Sequence, residues 1–230
     1  MFTKLFRFFW GLALIPLTLA TYRHFPEFIF SLNHSLDLLF FLLLGALLYI
    51  FFEIIFNRPL RTYVFGHELT HALASVVVGG KVHSFEVSKE GGSVSLSKTN
   101  FFVALSPYCI PFYTLFIFLV YTILGFWIEM EKYHLIFLAL IGFTLAFHLS
   151  LTIFAIRQEQ PDIKKTGFIF SLVFILLVNA WILVFLTKFL FWDSVGVKRY
   201  FFQVFNTHSL IWAWVWEKGI EFYKLGIRKF

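Results

Sequence analysis

Cysteine is nearly missing from this chain: there is one, Cys109, in 230 residues. That excludes an internal disulfide and any metal site built on cysteines alone. Charge is scarce as well. Asp, Glu, Lys and Arg together make up 14%, against about 25% in ordinary soluble domains. A disordered chain and an ordinary cytosolic enzyme are both excluded on that ground. The net charge of +6 is spread over the loops without a basic stripe, so no nucleic-acid partner is expected. Internal repeats, low-complexity tracts and soluble linkers are also missing, and residues 1–230 read as a single membrane-embedded domain. What is abundant is apolar surface: 60% hydrophobic residues, 35 of them phenylalanine, and a mean hydropathy of +0.82. The partner this composition calls for is a lipid bilayer.

A bilayer core takes about 20 apolar residues as helix. Phe8–Tyr22 is charge-free behind Lys4 and Arg7. It resembles a signal peptide with a cleavage point after Ala20, but reads as a retained first helix. Leu36–Phe56, Phe101–Ile128, Tyr133–Ile156 and Gly167–Phe191 read as further spans, with Pro107 and Pro111 kinking Phe101–Ile128. Leu60–Val78 has just enough length to cross, although it carries His67, Glu68 and His71. The fold class is therefore an all-α polytopic membrane protein of about six transmembrane helices. Gly79-Gly80 ends the Leu60–Val78 segment. Lys81–Ser88 and Ser93–Lys98 then alternate like strands around Glu90-Gly91-Gly92, which predicts a short β-hairpin. The core of the domain runs from about 60 to 191. The tail, Tyr200–Phe230, holds Trp212, Trp214 and Trp216 and then alternating charge, the pattern of a helix lying in the interface. Basic loop residues divide seven to seven between the two sides, so charge does not orient the chain.

His67-Glu68-Leu69-Thr70-His71 reads His-Glu-x-x-His on a helical segment. Residues four apart on a helix are about 400° apart in azimuth, so both imidazoles face one way and can grip one metal ion. Glu68 follows His67 directly, within reach of a water at that metal, where a carboxylate acts as general base. The apolar residues around the motif keep bulk water out and strengthen the field of the ion. Polar residues in an apolar span are rare unless they serve a site.

Two histidines leave a zinc site incomplete, since catalytic zinc takes three protein ligands and one open position. Asp162, which follows Pro161 between two spans, is the leading candidate for the third. The other reading of Asp162 is a helix cap or a solvated loop acid. His148, inside Tyr133–Ile156, is the second candidate, either as an alternative ligand or as a hydrogen-bonded partner behind the ligands. Glu53 and Glu159 are weaker candidates.

These residues resemble the site-2 protease family of intramembrane zinc metallopeptidases. The likeness covers roughly residues 65–167. It rests on Gly66-His67-Glu68-Leu69-Thr70-His71-Ala72, the hairpin with Gly79-Gly80 and Gly91-Gly92, the span carrying Ser106-Pro107-Tyr108, and the later Asp162. The family's Gly-Pro-x-x-Asn element and Asp-Gly pair are absent, as is an inserted peptide-binding domain, so the resemblance is to a compact, divergent member. It implies zinc held by His67, His71 and Asp162, with Glu68 as catalytic base. It also implies a hairpin, residues 81–98, that presents an edge strand to the substrate, a membrane protein with a transmembrane helix. The active site would face the cytosol. Other readings are a non-catalytic or inactive zinc-binding membrane protein of the same fold, a metal carrier, and a structural membrane scaffold. A carrier needs ionisable residues on several spans, and the clear spans here are almost free of charge. A scaffold leaves the His-Glu-x-x-His run unexplained.

Overall fold

The computed structural model describes residues 2–32, 36–88, 91–158, 160–191 and 196–227. Nearly all of them are helical: α1 (Phe2–Phe30), α2 (Leu36–Phe56), α3 (Leu60–Val77), then strands β1 (Val82–Val87) and β2 (Gly92–Leu96), followed by α4 (Phe101–Cys109), α5 (Phe112–Leu124), α6 (His134–Arg157), α7 (Pro161–Thr166), α8 (Phe168–Leu190) and α9 (Val197–Ile227). Four stretches are long and apolar enough to cross a membrane: Thr3–Phe30, Leu36–Phe56, Met130–Arg157 and Phe168–Leu190. The pair α4–α5 makes a fifth if the two count as one bent span. The stretch Leu60–Val78, expected as a sixth span, forms α3 but is not among these. The first helix is longer than the run Phe8–Tyr22 that suggests it.

The expected kink in Phe101–Ile128 is a break. Pro107 stays within α4, whereas Ile110 is extended (φ −91°, ψ 113°) and Pro111 starts α5, with 70° between the two helices. Pro111 has no N–H to give to the turn before it, and its ring pushes the preceding residue out of the helical region. Asn100 caps the other end of α4, its side chain accepting from the Val103 N–H at 2.9 Å.

By their contacts the residues gather into two compact units, Met1–His34 with Leu172–Phe230, and Ser35–Ser171. In the first, Tyr200 of α9 donates to the Thr21 carbonyl at 3.0 Å and Trp181 of α8 donates to the Thr21 hydroxyl at 3.2 Å. Ala20, Phe28, Val184, Tyr200 and Val204 form its core. The last residues of the expected tail helix, 228–230, lie outside the described residues.

In the second unit α2 packs flat on α6 through two glycines. A Cβ on Gly45 would stand 1.8 Å from the Ala139 carbonyl oxygen, and one on Gly142 would stand 1.9 Å from that of Leu42. Small residues at such crossings let helix backbones approach where lipid supplies no hydrophobic drive. Tyr49, Phe147 and Leu151 fill the space beside this contact. The hairpin is antiparallel, pairing Phe85 with Val94 and Val87 with Gly92, with a register irregularity between Val82 and Ser84. It folds back on α3: Gly79 turns the chain at φ +75°, Ser75 donates to the Lys98 carbonyl, and Phe65 meets Phe85 edge-on.

Candidate metal centre

α3 carries His67 and His71 one turn apart, with ring centroids at 4.8 Å. Each ring is oriented by its Nδ1. The Nδ1 of His71 lies 2.8 Å from the Val103 carbonyl oxygen on α4. A carbonyl only accepts, so Nδ1 carries the proton and Nε2 keeps its lone pair. The Nδ1 of His67 lies 3.1 Å from the Tyr63 hydroxyl, one turn earlier on the same helix. When that oxygen accepts, Nε2 of His67 keeps its lone pair too. Metal-ligating histidines are held by partners of this kind.

Asp162 comes from the other end of the unit. Pro161 opens α7, Asp162 sits in its first turn, and the buried Ile163 anchors it. Asp162 Oδ2 lies 3.7 Å from His67 Nε2 and 3.3 Å from His71 Nε2. The buried Tyr108 of α4 donates to the same oxygen at 3.3 Å and packs its ring edge-on against His67. Burial raises the Asp162 carboxyl, but the two imidazoles beside it outweigh this and hold the group well below the usual carboxylate range.

Among the described residues, His67, His71 and Asp162 form a group whose ligand atoms all lie within 4.8 Å of one another. Tetrahedral zinc, with bonds of about 2.0–2.1 Å, separates its ligand atoms by about 3.3 Å. The N···O distance to His71, 3.3 Å, matches that edge, and the one to His67, 3.7 Å, is a few tenths of an ångström longer. Two neutral imidazole nitrogens and one carboxylate oxygen also match the donor set of a catalytic zinc site with its fourth position open. The residues therefore fit the ion.

Glu68 is half-buried and is not one of the three grouped residues. The first residue of β2 lies over it: a Cβ on Gly92 would stand 2.8 Å from Glu68 Cγ and 2.6 Å from Val64 Cγ1. The hairpin, residues 81–98, thus reaches the general-base candidate, and only glycine fits at its closest point. His148, the alternative ligand, is not in the group; it lines a small pocket with His67, Tyr63, Thr70 and Tyr113. Glu53 is engaged by Arg58 and Ser150. Glu159 lies outside the described residues. Sequence reasoning missed Tyr63 and Val103, and gave Tyr108 no role beyond its place in Ser106-Pro107-Tyr108. Tyr63 had a signal, since it sits four residues before His67. Val103 acts through its main chain and Tyr108 through a contact across 54 residues, and neither leaves a local pattern.

The chain matches no protein-family model, no curated protein and no solved structure.

Proposed function

We propose that this chain is an intramembrane zinc metalloprotease, a compact and divergent relative of the site-2 proteases, which cuts a peptide bond in or near a transmembrane helix of another membrane protein. The observation that supports it is the approach of Asp162 to both histidines of the His-Glu-x-x-His run, across about ninety residues of chain. In this reading α3 is a sixth span and the site faces the cytosol.

Bound zinc would supply a Lewis acid that brings the pKa of water towards ~7 and polarises a carbonyl. His67 and His71 would hold it through Nε2 and Asp162 through Oδ2. The Val103 carbonyl fixes the His71 tautomer that leaves Nε2 open, and the Tyr63 hydroxyl, by accepting from Nδ1, would hold His67 in the same one. The Glu68 carboxylate takes a proton from the attacking water as its oxygen bonds to the scissile carbonyl carbon. The same proton then passes to the amide nitrogen as the C–N bond breaks. A helical substrate hides its carbonyls in hydrogen bonds, so it must first extend. The hairpin beside Glu68 offers an edge strand for the extended segment.

Replacing Glu68 by Gln tests the assignment. The variant should keep its zinc and lose cleavage of a reconstituted helical membrane substrate. Cleavage at the wild-type rate would refute Glu68 as the base.

A further inference from the structure

The end of α2 builds a second polar feature, independent of the metal centre. Glu53 stands in the last turn of a span whose one other charged residue is Asp37 in the first turn, and ionisable residues in such spans are costly and usually functional. Both its oxygens are engaged: Oε1 accepts from Arg58 Nε at 2.6 Å and Oε2 from Ser150 Oγ of α6 at 2.5 Å. The Arg58 guanidinium also stacks over Phe154, 4.6 Å from the ring centroid. One edge and one face of the guanidinium are thereby fixed. Among the described residues nothing takes its two Nη groups. Beside it Asn57 turns the chain at φ 63°, a left-handed conformation that asparagine tolerates. α3 then opens on Pro59 with no side-chain cap, so the positive end of an 18-residue helix is uncapped at the same place.

These groups border a cavity of about 610 Å³. Its polar lining is Glu53, Asn57, Arg58 and Ser150, with both Glu53 oxygens already taken by Arg58 and Ser150, and its apolar lining is Ile50, Ile54, Leu60 and Phe154. Ile54 is 74% exposed and Ile50 is 49% exposed, and both lie on a stretch apolar enough to span a membrane. The polar lining therefore offers a fixed guanidinium, the donor that fits phosphate oxygens in pairs. The apolar lining offers surface of the kind that faces lipid chains. Arg58 lies two residues beyond the end of the apolar stretch Leu36–Phe56, the depth at which headgroups sit.

We propose that this cavity is a binding site for the phosphodiester of a glycerophospholipid. The phosphate oxygens accept from the Arg58 Nη groups and the start of an acyl chain lies along Ile50 and Ile54. Glu53 positions the arginine rather than meeting the ligand. A free phosphate shares the headgroup chemistry but makes no use of the apolar walls.

The test uses the full chain, purified in detergent and stripped of lipid, and reads binding by native mass spectrometry and by titration calorimetry. The probes are dioctanoyl-phosphatidylglycerol, the uncharged dioctanoylglycerol, and inorganic phosphate. The expected result is saturable binding of one phosphatidylglycerol per chain, with both other probes weaker by tenfold or more. Arg58→Gln should weaken phosphatidylglycerol by about tenfold, in line with loss of a charge-assisted pair. Arg58→Lys, which keeps the charge but not the fork, should fall between. It also carries the test if Arg58→Gln does not give a monodisperse, helical protein. Equal binding of dioctanoylglycerol would overturn the proposal by assigning the cavity to apolar chains alone. Equal binding of inorganic phosphate would overturn it in favour of a free anion. Undiminished binding by both Arg58 variants would overturn the role of the guanidinium.

Discussion

Removing the Asp162 carboxylate tests the candidate centre at its most distant member. Asp162→Ala deletes the one acidic ligand and leaves both imidazoles on α3 as they are. A structural zinc site with four ligands binds with about 10–16 kcal/mol, so one ligand carries about 3–4 kcal/mol, or between about 10² and 10³ in affinity. Two features of the structure bear on where the loss falls in that range. Asp162 Oδ2 lies 3.3 Å from one histidine nitrogen and 3.7 Å from the other, at the zinc-ligand edge and a few tenths of an ångström beyond it, so its oxygen is a member of the set. Tyr108 loses the acceptor it donates to, so the position cannot be filled without repacking. The expected loss is therefore towards the upper end, about 10³-fold. The assay is zinc per chain by mass spectrometry after dialysis against chelators of graded strength, with wild type alongside. Asp162→Asn, which keeps the shape, should lose nearly as much because it lacks the charge. Asp162 is not the cap of α7, so helix content by circular dichroism should be unchanged. Retention of zinc at wild-type strength by both variants would refute the reasoning, since Asp162 would then be only an ion-pair partner of the histidines.

Four other outcomes are expected. Tyr108→Phe should weaken zinc by about 10-fold without unfolding the chain, because it removes the hydrogen bond that orients Asp162; unchanged affinity in the same chelator series would count against that orienting role. Zinc should leave on acidification as protons compete with the metal for the Nε2 atoms of the two histidines. Asp162 is held below the usual carboxylate range, so its ligand form persists as pH falls and is lost only after the histidines have charged; zinc retained below about pH 3 would contradict this order. Gly142→Ala should lower thermal stability in detergent by about 1–3 kcal/mol, since the new methyl meets the Leu42 carbonyl of α2. Gly219→Ala is its control, with nothing within 4 Å of the added carbon; equal effects at the two sites would refute the close α2–α6 packing. Gly92→Ala should impair cleavage more than zinc binding, because the methyl presses on Glu68 and Val64 rather than on the ligands; parallel loss of both would place the hairpin in the metal site itself.

Much of the helical layout was legible in the chain. Leu36–Phe56 forms a helix with the bounds its apolar run suggests, and Tyr133–Ile156 and Gly167–Phe191 differ from α6 and α8 by a residue or so. Length of an apolar run decides such elements, because a bilayer leaves backbone groups no partner but their own helix. The hairpin was legible from local signals too: two pairs of glycines around alternating residues. So was the shared azimuth of His67 and His71, which four-residue spacing imposes on any helix.

Tertiary structure decided the rest. The count of spans depends on whether α4 and α5 act as one, which the 70° break at Pro111 makes a matter of three-dimensional path. The residue that joins the two histidines depends on folding, because Asp162 and His148 were both available from the sequence. The contact of α7 with α4 through Tyr108 brings Asp162 to them. The tautomer of His71 is set by a carbonyl 32 residues away. Periodicity carries information along one helix, since its geometry is fixed by backbone hydrogen bonds. Nothing local encodes which loop end will meet that helix, because the meeting is determined by how side chains of separate elements pack.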